Sequence, residues 1–451
     1  MPAARILYYY LWTRWGPAAR CGTRAQLLAW QEQQVQRHLR RRVLPRSAYT
    51  RQRFAGRSPA EWAAIPPMDK AEMLTNFDDL NTAGVKKDEA FALALEAERT
   101  RDFTPALNGL TVGLSSGTSG TRGLFLASAA ERDMWAGTAL AKLLPSEVLD
   151  QQCVAFFLRA NSSLYTNVRS RRLRFEYFDL LQPPAGHIAR LNALQPTILV
   201  GPPSLLRLLA EAQAAGRLKI APGKIVSVAE VLDPLDASVI GEVFGQIVHQ
   251  VYQCTEGFLG STCRLGTLHL HDDLVVIHKE WLDRAQRKFV PIITDFYRVS
   301  QPIVRYRLDD ILTERAEPCP CGSLFTALDG IEGRCDDLFY LPALAGEGWV
   351  PVFPDFVRWA LLASAPDLEG YVARQLAPDQ VEVALALPAA RRPEAERDAA
   401  GWLEALWTQV GGRAPRLCFT EGGGPTFGGG AELTGRKFKR VERVFPRPDG
   451  G

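Results

Sequence analysis

The chain has 451 residues, 47% of them hydrophobic and 23% charged, a composition ordinary for a globular protein long enough for two or three domains. Lysine and arginine number 53 against 50 acidic residues, a net charge of +3, and so small a surplus argues against nucleic acid or a membrane surface as partner. Eight cysteines at uneven spacing do not form the framework of a secreted disulfide scaffold.

In chain order, the apolar run "ILYYYLW" (6–12) is far shorter than the roughly 20 residues of a spanning helix and lacks a signal-peptide cleavage site, so a cytoplasmic protein is expected. Residues 20–45 read as helical, with the basic run "RHLRRR" (37–42) as a solvated helix face. "SPAEWAAIPPMDKAEML" reads as a capped helix, a proline-marked break and a second helix start. "NGLTVGL" and "LFLAS" read as strands on either side of the serine, threonine and glycine loop "SSGTSGTRG". Short strands then alternate with helices: "CVAFFLRA", "TILVG", "KIVSVAE" and "QIVHQVYQ" between stretches such as "PPSLLRLLAEAQAAG" and "DPLDASVIGEVFG". That alternation predicts an α/β fold with mixed, mostly parallel sheets flanked by helices. After about residue 335, "DFVRWALLAS", "YVARQLA" and "QVEVALALP" suggest a small α+β unit, followed by the glycine-heavy "EGGGPTFGGGAELTG". The expected division is 1–335 as a large domain and 336–451 as a small, mobile one.

Alone, the "SSGTSGTRG" loop is more often a linker than a phosphate cradle, and it is not the nucleotide triphosphatase loop, since no lysine and no helix start follow its last glycine. Downstream stand "YQCTEGFLG", "YRLDD", "IEGRCDD" and "TGRKFKR". Five elements in this order resemble the adenylate-forming superfamily of acyl-CoA synthetases, peptide-synthetase adenylation domains and luciferases. "PIITDFYRVSQPIVRYRLDDIL", "CPCGS" and "IEGRCDD" resemble its phenylacetate-CoA ligase branch, which includes CapK-like proteins and deazaflavin-coenzyme adenylyltransferases. The resemblance spans about residues 66–440.

Activating a carboxylate with ATP requires several anionic oxygens to be gathered and neutralised. The resemblance assigns Ser115, Ser116, Gly117, Thr118, Ser119, Gly120 and Thr121 to the phosphate loop. Arg122 stands where relatives continue into proline and lysine. It implies Glu256 as the magnesium ligand, a hard cation preferring carboxylate oxygen, and Thr255 beside the phosphates. Tyr252 matches the adenine-stacking aromatic, and Ala229 and Glu230 in "SVAE" match the segment lining the base. Asp310, more than its neighbour Asp309, matches the acceptor of the ribose hydroxyls. Arg334 matches a second nucleotide contact, and Asp336 the interdomain hinge. Lys437 matches the lysine that the small domain brings to the reacting carboxylate; Arg436 interrupts the usual spacing, so Lys439 is the alternative.

Cys319 and Cys321 in "CPC", with Cys263 and His269 in "CRLGTLH", make a soft four-ligand set suited to tetrahedral zinc. Reduced loop cysteines are the alternative. His271 is a substitute for His269, and Cys254 reads as packing. The resemblance implies a structural zinc at matching positions. It also implies a ligase that uses ATP and Mg2+ to form acyl-AMP and passes the acyl group to a thiol, CoA, with a homodimer expected. The aromatic content near "YFDLLQP" and "GFLGS" hints at an aryl acid. The alternatives are adenylyl transfer to a hydroxyl of a cofactor-like acceptor and a nucleotide-binding scaffold without catalysis.

Overall fold

The computed structural model of the protein describes residues 2–104, 106–115, 122–144, 151–158, 173–180, 182, 184–421 and 438–448. The first strands, β1 (Thr111–Leu114) and β2 (Leu124–Ala127), pair as a hairpin. Next come β3 (Gln152–Leu158), β4 (Leu173–Asp179), β5 (Ile198–Gly201), β6 (Lys224–Ser227) and β7 (Val248–Cys254). They pair in parallel in the spatial order β4-β3-β5-β6-β7. The same sheet continues through β8 (Gly257–Thr262), β9 (Leu268–Leu270), β10 (Val275–Asp283), β11 (Lys288–Asp295), β12 (Tyr306–Arg307), β13 (Asp310–Glu314) and β14 (Ala327–Arg334). These pairings are antiparallel, in the order β7-β8-β9-β14-β13-β11-β10 with β12 on β11. One sheet is therefore parallel in one half and antiparallel in the other.

Local chemistry accounts for the helices of the parallel half. The helix Pro234–Phe244 opens on Asp233, whose Oδ1 accepts from Leu235 N at 2.9 Å, and ends on Gly245 at φ +67°, a left-handed position that glycine takes without strain. The helix Ala129–Leu143 opens on a capping box between Ser128 and Glu131. "SPAEWAA" folds as a six-residue 3-10 turn, Pro59–Ala64, rather than an α-helix; Pro66 and Pro67 follow it and offer no N–H to extend a ladder.

Alternate side chains along β3 face opposite ways. Ala155 and Phe157 join Leu199, Leu206 and Ile225 under the helices on one face. Val154 and Phe156 join Phe175, Ile198 and Val200 on the other, against Leu140 and Leu144. A separate core around Phe339, Tyr371 and Trp407 belongs to the carboxy-terminal part. That part holds the hairpin β15 (Phe339–Pro342) with β16 (Trp349–Val352), and a sheet of β17 (Gly370–Ala377), β18 (Gln380–Ala386), β19 (Arg416–Thr420) and β20 (Val441–Arg443) in the order β19-β18-β17-β20. The expected division after residue 335 falls inside the 3-10 turn Cys335–Asp337 that follows β14. Among the described residues no helix is long and apolar enough to cross a membrane.

Candidate active site

A cleft of about 620 Å3 opens beyond the carboxyl ends of β5, β6 and β7, bounded by β13, β14 and the segment before β20, the place where open α/β sheets hold ligands. Glu256 lies on its floor, 6% exposed, in the turn from β7 to β8. Tyr306 OH donates to Glu256 Oε1 at 3.1 Å and Thr255 Oγ1 to Oε2 at 2.8 Å. Arg298 Nη1 holds the turn by donating to Thr255 O at 2.7 Å. Across the cleft, Tyr252 OH donates to Asp310 Oδ2 at 2.7 Å, and Arg334 Nε lies 3.4 Å from Asp310 Oδ1. Asp310 and Arg334 face each other in the β13–β14 register. Burial pushes the phenols of Tyr252 and Tyr306 above their ordinary range, so both stay protonated donors to their carboxylates at neutral pH. Burial opposes the charge of Arg334, yet the carboxylates of Asp310 and Asp309 prevail and its pKa is raised. Asp309 lies 3.7 Å from the Arg307 guanidinium, and burial raises its pKa.

Ala229 has φ +70°, a conformation non-glycine residues rarely adopt, and it lines the cleft. Glu230 accepts from Ser204 Oγ at 2.7 Å and, across to the carboxy-terminal part, from Phe438 N at 3.3 Å. Of the predicted phosphate loop, Ser116, Gly117, Thr118, Ser119, Gly120 and Thr121 lie outside the described residues. Its ends are described. Ser115 N donates to Gly123 O at 2.8 Å and Ser115 Oγ accepts from Gly123 N at 2.6 Å. Arg122 donates twice to Glu98, at 2.9 and 2.5 Å, and to Ser115 O at 2.9 Å. A bidentate carboxylate pair of this kind is geometrically specific. Arg122 thus clamps the base of the loop, and Glu98 already balances its charge.

Lys437 lies outside the described residues. Lys439 Nζ is 2.6 Å from Asp337 Oδ1, and burial raises the Asp337 pKa against the pull of that ammonium. At the junction the ion pair is carried by Asp337, not by its neighbour Asp336.

Behind the polar end, Trp135 and Leu140 of the Ala129–Leu143 helix face Phe156, Phe175, Val200 and Val226 of the sheet, and all six line the cleft. In a fully packed sandwich this sheet face would be filled; here a space remains between it and the helix.

No family model matches the chain, and no curated protein matches it in sequence. Solved structures do match it. 2-Hydroxyisobutyryl-CoA ligase in the postadenylation state with R3-HIB-AMP superposes with a TM-score of 0.66 at 16% identity, over 94% of this chain and 89% of that chain. Its open conformation, with 2-HIB-AMP and CoA, gives 0.58 at 17% identity over 94% and 93%. Its thioesterification state gives 0.53 at 18% identity over 95% and 91%. The chain shares its fold with these 2-hydroxyisobutyryl-CoA ligase structures. Of these three states, the postadenylation one superposes best.

Buried ion pairs join the carboxy-terminal part to the large sheet's helices. Arg440 Nη2 lies 2.6 Å from Asp236 Oδ1, and Arg358 Nε lies 3.2 Å from Asp233 Oδ2. Tyr371 OH donates to the same Asp233 oxygen at 2.5 Å, and Arg207 lies 3.4 Å from Asp236. Both aspartates and Arg440 are under 9% exposed. Motif reading missed this network and also Tyr306 and Arg298. Tyr306 stands in the very "YRLDD" run that marks Asp310, so a search for donors beside Glu256 had a signal to follow.

The cysteine set does assemble. The ligand atoms of Cys263, His269, Cys319 and Cys321 all lie within 4.8 Å of one another. Cys263 Sγ and Cys319 Sγ are 3.9 Å apart, close to the ~3.8 Å that two zinc–sulfur bonds at a tetrahedral angle subtend. His269 Nδ1 is 3.1 Å from Phe325 O, leaving Nε2 to face Cys321 Sγ at 3.4 Å; such a carbonyl partner orients a ligating imidazole. His271 is engaged elsewhere, by Ser261 Oγ and Phe258 O. Cys254 lines the cleft, 3.8 Å from Gly257 O, and lies outside the cluster.

Proposed function

We propose that this protein is an ATP-dependent ligase that activates a carboxylic acid with an uncharged, apolar tail as acyl-AMP and passes the acyl group to a thiol, CoA. The observation that carries this reading is the two-ended cleft, with Glu256, Asp310 and Arg334 at one end and an apolar wall from Trp135 to Phe175 at the other. The solved neighbours hold 2-HIB-AMP, two of them with CoA. An aryl ring would also suit the apolar wall.

In this reading Asp310 accepts the ribose hydroxyls, with Tyr252 and Arg334 fixing the carboxylate's orientation. The Ser115 hydroxyl and the N–H and O–H groups of residues 116–121 are assigned to the β- and γ-phosphates. Thr255 and Glu256 are assigned to the triphosphate and its metal ion. The two Glu256 oxygens each accept one hydrogen bond from the protein and keep lone pairs free, which fits a hard cation; magnesium there would supply charge neutralisation. Lys437 is assigned the stabilisation of charge on the reacting carboxylate and α-phosphate.

The test is pyrophosphate release with a graded panel of straight-chain and aryl acids. Release that rises with tail length and needs CoA for turnover supports the ligase. AMP retained on a hydroxyl acceptor, or no acid-dependent release, would overturn it.

We infer further that Cys263, His269, Cys319 and Cys321 hold a structural zinc. All four positions are filled by protein, leaving none open for water or substrate. Freshly purified protein is expected to contain one equivalent of zinc, and Cys319→Ser to lose it along with about 2 kcal/mol or more of stability. Metal-free protein of unchanged melting temperature would sink the assignment.

A further inference from the structure

The amino-terminal helix Pro2–Trp15 carries an exposed face that the cleft does not use. Its half-buried Ile6, Tyr9 and Tyr10 turn onto the Ala129–Leu143 helix at Gly137, where an added Cβ would lie 2.8 Å from Tyr9 Cβ. Thr13 Oγ1 lies 3.3 Å from Thr138 Oγ1 on the same seam. Outward point Leu7, Tyr8, Leu11 and Trp15, 56%, 54%, 43% and 58% exposed. At 3.6 residues per turn they share an arc of about 100°. Single exposed apolar residues are normal, but four on one arc make a patch.

Charge is segregated along the sequence in this region. Residues 1–46 hold nine arginines and one acidic residue, Glu32, a surplus of eight in a chain whose net is +3, so the rest of the chain is net −5. The whole-chain charge averaged two opposing regions and hid this one. Arg20, Arg37, Arg40, Arg41, Arg42 and Arg46 are exposed. Arg42 comes beside the helix: burial raises the Tyr9 pKa, and Arg42 and Arg5 both oppose that rise.

We propose that this helix and its flanking arginines dock the protein peripherally on an anionic lipid surface. Leu7, Tyr8, Leu11 and Trp15 would lie among the headgroups, where tryptophan and tyrosine are favoured, and the arginines would meet lipid phosphates. A nucleic acid would engage the arginines and leave the leucine–aromatic arc in water. A second copy of the chain would bring two strongly positive surfaces together. Only an anionic, partly apolar surface satisfies both features. The placement also bears on the cleft. Met134 and Thr138 line both the cleft and a narrow crevice under Tyr9, Trp12 and Thr13, so one helix separates the docking face from the apolar wall. On the reading under "Proposed function", an apolar acid would be met where it partitions; the docking itself does not rest on that reading.

Flotation of the full chain with phosphatidylcholine vesicles, with and without phosphatidylglycerol, tests this. Binding is expected only with phosphatidylglycerol, with a blue-shifted tryptophan emission and a steep loss at high salt. The triple variant Leu7→Ser, Leu11→Ser, Trp15→Ser, and separately Arg40→Ser, Arg41→Ser, Arg42→Ser, should each bind about tenfold less. Both should keep wild-type pyrophosphate exchange with a dissolved short-chain acid, which separates docking from chemistry. No flotation on phosphatidylglycerol vesicles, or equal flotation by the variants, would overturn the proposal. So would a dimer in sedimentation that the leucine changes dissociate, tighter binding to RNA than to vesicles, or a parallel fall in exchange, which would reveal damage to the fold.

Discussion

Acid-dependent exchange of pyrophosphate into ATP is expected to fall by about two to three orders of magnitude in Glu256→Gln. The substitution keeps the side chain's volume and one carbonyl oxygen for Tyr306 or Thr255, but it removes the negative charge that draws a hard cation. The fold should survive, because Glu256 accepts hydrogen bonds and enters no ion pair that the described residues show. Glu256→Ala is a poorer probe. It leaves the buried Tyr306 hydroxyl without its acceptor, a cost of about 1–3 kcal/mol, and so mixes instability with lost chemistry. Exchange assays at saturating magnesium, paired with melting curves, give the answer. Exchange by Glu256→Gln within about threefold of wild type would remove this residue from the site.

The largest stability effect is expected from Arg440→Ala. Arg440 sits between Asp236 at 2.6 Å and Asp233 at 3.9 Å, and burial already pushes the Asp236 pKa up against the pull of that guanidinium. Removing the cation leaves buried carboxylates under-compensated, at a cost of about 3–5 kcal/mol, although Arg207 and Arg358 retain part of the balance. Urea unfolding followed by tryptophan emission should show the loss. Arg440→Met combined with Asp236→Asn should cost less than the sum of the single changes, since residues in one network couple. Strict additivity would mean that the pair carries no coupling. Because the partners come from the two parts of the chain, the same variant should alter how often they separate, read as a change in protease sensitivity near residues 335–337.

Many of the residues that line this cleft were legible in the sequence, because each motif stays local. Tyr252, Thr255 and Glu256 fall within five residues of one another, and Asp310 and Arg334 sit on adjacent strands. The helix boundaries around Asp233 and Gly245 were equally legible, since caps depend on single residues. The unreadable parts depend on partners distant in sequence. Glu98 lies on a surface helix before the loop it clamps, and nothing in "GLSSGTSGTRG" names it. Asp233 meets Tyr371 over a separation of 138 residues and Asp236 meets Arg440 over 204. The antiparallel half of the sheet escaped the strand–helix alternation because its strands follow one another through turns without helices. His269, named ahead of His271 from the sequence, is the one whose Nε2 faces Cys321 Sγ, whereas the Nε2 of His271 meets Ser261 Oγ.

The Glu98–Arg122 clamp has a kinetic consequence in a ligase of the proposed kind. A guanidinium neutralised before the nucleotide arrives adds little long-range attraction for a polyanion. Holding the triphosphate is then left to oriented dipoles and to a metal ion that can depart with its cargo. With the Arg122 charge already balanced by Glu98, pyrophosphate is expected to be a weak product inhibitor, checked by its inhibition constant against that of Glu98→Gln.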